Sequence, residues 1–475
     1  MSSGTAPIVV AGGGPAGLTA GLTLARAGRS VVLVEREEAV GGLARTLERD
    51  GHRFDIGGHR FFTRVPEVQA LWDELLGSDM VRRPRRSRIL FHGHYYDYPL
   101  TAGSALAGLG LAESARILAS YLAARLSPLR QETTLADWCT NRFGRRLFET
   151  FFRPYTEKVW GLPCEEIGAQ WAAQRIRGLS LRAAIADMLR PGAGGQRTLA
   201  TEFQYPRLGP SMLWDRMRTE LEARGQRVLT SHRLSSVVLR GGAVHAAVLE
   251  RKDGARVEID ASALVWTLPL RGLAEALDPP LPAESRAAAR LLKHRAFVEV
   301  ALVLEGPDPF PDTWLYLHDP EIGAGRVQNF RAWSPDLVPD PDRACVGVEY
   351  FCDAGDELWS RTDAALVAQA KSDLLAAGLR PGRIAAAHVV RVADAYPVYD
   401  QRFAERLGDV RGALAKIPNL VPAGRNGLHR YDNMDRAMLS GLHAAANLLG
   451  EGHDLWSGDA EDSYLEPLRR AVQEK

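Results

Sequence analysis

Ile8-Val9-Val10-Ala11-Gly12-Gly13-Gly14-Pro15-Ala16-Gly17, followed by a helical stretch and then Val31-Val32-Leu33-Val34-Glu35, is the segment whose reading decides the fold. The first apolar run reads as a buried strand, and the three spaced glycines after it have distinct tasks. Gly12 permits the tight strand-to-helix turn, Gly14 lets the backbone approach a pyrophosphate, and Gly17 lets helix pack closely on strand. Leu18, Leu22, Leu24 and Ala25 give the helix an apolar face, and its positive N-terminus suits a diphosphate. The second strand ends in Glu35, at the spacing where an acid takes the ribose hydroxyls, which argues against a 2′-phosphate. The unit is therefore a dinucleotide-binding βαβ of Rossmann type, and the chain is α/β.

The continuation, Glu35-Arg36-Glu37-Glu38-Ala39-Val40-Gly41-Gly42-Leu43-Ala44-Arg45-Thr46, resembles the second flavin motif of the amine oxidase, protoporphyrinogen oxidase and UDP-galactopyranose mutase superfamily. That resemblance implies non-covalent FAD. It also implies that Gly41 and Gly42 carry the backbone past the cofactor and that a nearby basic side chain, Arg36 or Arg45, meets its phosphates. Leu43 stands where the family usually has a basic or polar residue.

The chain has 475 residues, is 46% apolar and carries a formal net charge of +1. It is long enough for more than one core, and it has no general field for polyanions, so nucleic acid is disfavoured as a partner. The arginines between Arg82 and Arg88 read as a solvated face. Cys139, Cys164, Cys345 and Cys352 show neither metal spacing nor a disulfide framework, so no metal is expected and a reducing cytoplasm is. Met1 to Pro7 has no basic region and leads straight into the first strand, unlike a cleaved leader. The weakly charged stretch from Tyr98 to Ala112 is too short and glycine-rich to span a bilayer.

The superfamily interleaves its domains, and the expected return points are present. Arg227-Val228-Leu229, Leu234 to Leu239 and Ala247 to Leu249 read as short strands, Ala261 to Pro269 as a buried strand rejoining the first sheet, and Asn419 to Arg425 as a strand and turn before a helix from Met434. Helical spacing of Leu111, Ala115, Leu118 and Leu122 predicts helices that form a cap. Alternation through residues 294–352 predicts an antiparallel sheet with one wet face. The expected architecture is a discontinuous Rossmann-type FAD-binding domain (1–64, 226–275 and 416–475), a helical cap (65–225) and a substrate sheet (276–415).

Further segments resemble the mutase branch. Gly57-Gly58-His59-Arg60-Phe61-Phe62 is similar to the loop that lies beside the isoalloxazine there, which implies flavin contacts from Gly58 and His59. Tyr155-Thr156-Glu157-Lys158-Val159-Trp160 is similar to a segment whose Trp borders the substrate, pointing to Trp160. Arg175 and Arg326 fall where the family places arginines on a substrate pyrophosphate, and forked guanidinium donors match phosphate oxygens; abundant surface arginine is the plainer account. Gly424-Arg425-Asn426-Gly427-Leu428-His429-Arg430-Tyr431-Asp432-Asn433-Met434 resembles the C-terminal mutase segment. By that likeness Gly424 and Arg425 abut the flavin, Tyr431 meets a substrate phosphate and Met434 starts the last helix at the cofactor. Tyr396 is a second phosphate contact or else a core aromatic.

The mutase likeness implies isomerisation of a nucleoside diphosphate sugar through the N5 of reduced flavin, with His59, Arg175, Arg326, Arg425 and Tyr431 at the reacting centre. The alternative is net oxidation or desaturation of a sugar or other small molecule by hydride transfer to FAD. The strand after His294 lacks the lysine that amine oxidases keep near the flavin.

Overall fold

The computed structural model describes residues 6–98, 102–169, 171 and 202–457, with residues 102–107 by their backbone alone. Its central layer is a five-stranded sheet in the order Leu420–Pro422, Ala263–Trp266, Ile8–Ala11, Val31–Val34, Arg227–Leu229. All four neighbouring pairs are parallel. The strands come from stretches far apart in the chain, so the sheet is discontinuous as the motif order implied. Ile8, Val9, Val10 and Ala11 are all buried, as the continuous apolar reading of a doubly covered parallel strand requires.

One face of this sheet is covered by the helices Pro15–Arg26, Ser211–Ala223 and Met434–Leu448. Small residues set how closely they approach. A Cβ on Gly17 would stand 1.9 Å from the carbonyl oxygen of Gly12, and one on Gly441 would stand 2.3 Å from that of Ala16. The first helix is thus pressed against both the strand turn and the last helix. On the other face lies a four-stranded sheet, ordered Arg256–Asp260, Ala243–Arg251, His232–Arg240 and Leu277–Asp278.

The third sheet has seven strands, ordered Ile384–Pro397, His294–Glu305, Arg343–Cys352, Arg326–Asn329, Trp314–Leu317, Ser87–Phe91 and His94–Asp97. It departs from the sequence expectation in two ways. Ser87–Phe91 pairs parallel with Trp314–Leu317, and the last two strands come from a stretch read as helical. Nor does it have a wet face at its centre: His294 to Leu304 are all buried. Val298, Val300 and Leu302 pack under the helix Asp363–Ala376, while Ala301 and Val303 pack on Phe330 and Trp333. Alternation was legible because Glu299 interrupts one apolar run and Gly347 and Glu349 the other.

The cap contains the helices Ala102–Leu126, Leu135–Phe143 and Arg153–Trp160. Thr134 and Asp137 form a reciprocal capping box on the second, which fixes its start. The first is broken at Gly110, whose φ of 77° lies in the left-handed region. The leucines that carry its helical spacing are open, with Leu111 82%, Leu118 45% and Leu122 52% exposed. Among the described residues, no helix is long and apolar enough to cross a membrane.

Candidate active site

One cavity of about 1550 Å³ runs from the C-terminal ends of the parallel strands, along the seven-stranded sheet, to the cap. The crevice outside the carboxyl ends of such strands is where open α/β sheets bind ligands. Gly12, Glu35 and Gly424 line its inner end, and Leu111 and Leu118 line its outer end.

At the inner end Glu35 is buried and pinned by two backbone amides: Gly13 N–H donates to Oε2 at 2.8 Å and Glu37 N–H to Oε1 at 2.9 Å. Its carboxylate is held rigid with lone pairs to spare for ribose hydroxyls. Gly14 lines the cavity as the N-cap of the first helix and makes no side-chain cap, so the helix's first amides remain available. A Cβ on Gly14 would meet nothing nearer than Gly42 Cα at 3.7 Å. The space is open to a ligand yet free of protein conflict. Arg36 and Arg45 both line the cavity, but they differ. The Arg36 side chain is 70% exposed and pairs with Glu37 at 3.2 Å, whereas that of Arg45 is 17% exposed and its Nε is buried without a hydrogen-bond partner. An uncapped helix, a pinned acid, an open glycine and an orphaned guanidinium nitrogen fit a dinucleotide.

In the middle, Gly57-Gly58-His59, Gly424-Arg425 and Met434 all line the cavity. A Cβ on Gly58 would lie 3.2 Å from Gln328 Oε1, so the loop sits against the substrate sheet. His59 Nδ1 is 3.8 Å from Asp55 Oδ2, and Asp55 itself accepts hydrogen bonds from Thr46 and Tyr205 hydroxyls, each at 2.7 Å. Arg425 is spent on structure: Nε donates to the Asp432 carbonyl at 2.8 Å and Nη1 to the Ala395 carbonyl at 3.0 Å. Its guanidinium lies 4.7 Å from the Tyr431 ring centroid, a cation–π contact.

Beyond this lies a polar cluster around Arg326. Its Nε donates to Glu349 Oε2 at 2.5 Å and its Nη2 to the Tyr396 hydroxyl at 3.1 Å, while Gln328 Nε2 donates to Glu349 Oε1 at 2.5 Å. Nη1 has no hydrogen bond among the described residues. Tyr396 stacks on Tyr431 with centroids 5.5 Å apart, and burial pushes its hydroxyl up to about 12. It stays a donor at neutral pH. Glu299, paired in register with Glu349, is fully buried with neither carboxyl oxygen hydrogen-bonded. Burial first, and the Glu349 charge second, hold its carboxyl well above the usual range. The cluster is therefore one neutral acid over one ion pair.

The outer end is bordered by Tyr155, which stacks on His318 at 4.2 Å, and by Tyr98 against Tyr316 at 5.2 Å. Burial pushes the His318 imidazole down to about 3, leaving it neutral. Past these rings the walls are Ile89, Leu109, Phe143, Leu147, Phe151 and Phe152.

The residues singled out from sequence fall into three groups. Gly12, Gly14, Glu35, Arg36, Gly42, Arg45, Gly58, His59, Arg326, Tyr396, Gly424, Arg425, Tyr431 and Met434 all border the cavity. Gly17, Gly41 and Trp160 do not. Gly17 serves helix packing, and a Cβ on Gly41 would meet Arg45 and Trp214 side chains at 2.8 Å. Trp160 sits behind the wall, with its ring 6.4 Å from Tyr396 and 6.0 Å from Tyr431. Arg175 lies outside the described residues. Within the segments that resemble the mutase branch, Phe62 and Asn433 also border the cavity, whereas His429 is buried away from it against His294. Sequence reasoning missed Glu349, Glu299, Gln328, Tyr155, Tyr316 and His318. The signal for the two acids was present: each is a lone carboxylate inside a long apolar strand.

A discontinuous parallel sheet with a dinucleotide crevice opening onto a mixed sheet defines a flavoenzyme. Residues 15–449 match the flavin containing amine oxidoreductase family, and the chain belongs to that family. It is an FAD-dependent enzyme. Coproporphyrinogen III oxidase from Mycobacterium tuberculosis is 27% identical over 327 residues, 64% of this chain and 67% of that protein. Among solved structures, the reduced form of UDP-galactopyranose mutase superposes with a TM-score of 0.80 at 19% identity, covering 94% of each chain. Putrescine oxidase superposes with a TM-score of 0.62 at 18% identity, covering 94% of this chain and 99% of the other. At these identities the structural likeness shows the shared fold.

Proposed function

We propose that this enzyme isomerises a phosphate-linked sugar in the manner of a pyranose–furanose mutase. The observation that carries it is the Arg326 cluster. A guanidinium is oriented by Glu349 and Tyr396, with Nη1 unspent, beside two stacked tyrosine hydroxyls and next to the Gly58 and Arg425 loops. Such a fork suits phosphate oxygens. Because its position is fixed before the ligand arrives, little orientation is lost on binding.

In this reading Gly12, Gly14 and the open turn of the first helix would hold the FAD diphosphate, assisted by Arg45, and Glu35 would hold the ribose. Gly58, His59, Gly424, Arg425 and the Met434 helix terminus would flank the ring. Bound FAD supplies the covalent or electron-transfer chemistry. The protein's own part is to bind and orient. Arg326, Tyr396 and Tyr431 would hold a phosphate leaving group by charge and hydrogen bonds, and His59, beside Asp55, would sit at the ring as a polar neighbour. Among the described residues no lysine lines the cavity, which separates it from the lysine-bearing amine oxidase pattern.

Hydride-transfer oxidation is the second reading, favoured by one observation: Glu349 neutralises Arg326 before any anion binds. Titration with inorganic pyrophosphate tests the first. Arg326→Ala should lose a charge-assisted contact of about 1.5 to 3 kcal/mol with FAD content intact. Unchanged pyrophosphate affinity would remove the phosphate assignment.

A further inference from the structure

The cavity joins the dinucleotide crevice to a chamber under the cap, and its two ends differ in chemistry. Among the described residues from Leu109 to Trp171, no lining side chain is charged, and only Ser114, Tyr155, Thr156 and Trp171 carry a polar atom. Phe143 stacks on Phe152 at 5.0 Å, and Phe151 packs on Phe91 at 4.8 Å, so this end is walled by aromatic faces. A nucleoside placed here would bury a base edge and ribose hydroxyls against apolar surface, at a cost of several kcal/mol unless each found a partner. A hydrocarbon chain has no such groups.

The outer mouth points the same way. Leu111 and Leu118 both line the cavity and are exposed, and Leu122 and Leu126 continue the same helical face at 52% and 89% exposure. Their spacing of seven, four and four residues keeps one stripe in register with the helix period. Arg125 and Arg130 are exposed at the C-terminal end of that stripe, while Arg116 on the same helix is exposed and pairs with Glu113 at 3.3 Å. An open apolar helix face with cations at one end complements an anionic lipid surface. It is also continuous with the chamber behind it.

We infer that the substrate is an amphiphile: a phosphate-linked sugar carried on a long hydrocarbon chain rather than on a nucleoside. The head lies at Arg326 and Tyr431, and the chain runs past Tyr155 and His318 between Phe151 and Phe152 to emerge at Leu118, where it reaches a lipid bilayer. This rests on the phosphate-linked reading of the inner chamber.

The test is calorimetric titration of the FAD-loaded enzyme with monoalkyl phosphates from butyl to decyl, and with the matching alcohols. Each methylene buried in the chamber should tighten binding about fourfold. Leu118→Glu, a substitution at the open mouth, should flatten the dependence for the longer chains and leave butyl phosphate binding and FAD content unchanged. Equal affinity across the wild-type series overturns the inference, as does the same chain-length dependence in Leu118→Glu. The two proposals fail separately. Phosphate-dependent binding without chain-length dependence removes the hydrocarbon chain and keeps the Arg326 assignment. Chain-length dependence with alcohols as good as phosphates, and no effect of Arg326→Ala, does the reverse.

Discussion

Glu299→Gln should stabilise the protein as pH rises, which is an unusual outcome for a change at a fully buried position. Glu299 sits over Gly347, whose added Cβ would stand 1.9 Å from Glu299 Oε1, and it faces Glu349 across the strand pair. Burial and Glu349 hold its carboxyl up from the ordinary 4.5, with Arg326 pulling the other way. The folded state then keeps a proton that the unfolded state has released. Stability is lost as pH climbs above the ordinary carboxylate range, by up to about 1.4 kcal/mol per pH unit, until Glu299 ionises. Glutamine is neutral throughout and escapes that loss. At about 2.1 cal/mol/K per residue, a 475-residue chain should show midpoints diverging by about 1 °C per pH unit or slightly more. Glu349→Gln should behave oppositely. It strands the half-buried Arg326 guanidinium, at a cost of about 1.5 to 3 kcal/mol, and that cost should shrink toward high pH as Glu299 ionises to replace the lost charge. Thermal melts of the FAD-loaded wild type and both variants between pH 5 and 8 give the comparison. A Glu299→Gln penalty that grows with pH would show that Glu299 is the ionised partner and refute the charge assignment.

The glycines allow a sharper division. Gly17→Ala must push its Cβ into the Gly12 carbonyl, 1.9 Å away, and should lower the folded yield and thermal midpoint. Gly14→Ala has room in the protein and should fold normally yet lose FAD, as measured by flavin absorbance after gel filtration; retained FAD would place the pyrophosphate elsewhere. Lys158 donates to the carbonyls of Leu317, Asp319 and Ile322, each at 2.8 Å. Lys158→Met should cost at least about 3 kcal/mol by stranding them, with a fall in thermal midpoint and unchanged FAD stoichiometry. A neutral result would show that the loop finds other partners.

The cofactor end was legible because its physics is local. Gly12, Gly14 and Glu35 act within one strand–turn–helix–strand unit, so spacing alone fixes their geometry. The inner chamber was half legible. Arg326, Tyr396 and Tyr431 were found through resemblance, but Glu349, which holds Arg326, comes from a neighbouring strand whose register no single sequence states. Trp160 shows the converse, since its helix faces the site while its ring packs behind Tyr396. The cap was legible as helix and no further. Helical periodicity reports that a face is apolar, not what covers it, and Leu111, Leu118 and Leu122 turned out to border a cavity mouth and solvent.

The reaction class decides the central proposal. FAD-loaded enzyme should be incubated without oxygen, in oxidised and in reduced form, with hexoses linked through diphosphate to a nucleoside or to an alkyl chain, while the flavin spectrum and the sugar product are followed together. Isomerisation requires turnover by the reduced enzyme alone, a ring-size isomer as product and no net change in flavin oxidation state. Stoichiometric bleaching of the oxidised flavin, with an oxidised or desaturated product, would contradict it and establish hydride transfer instead.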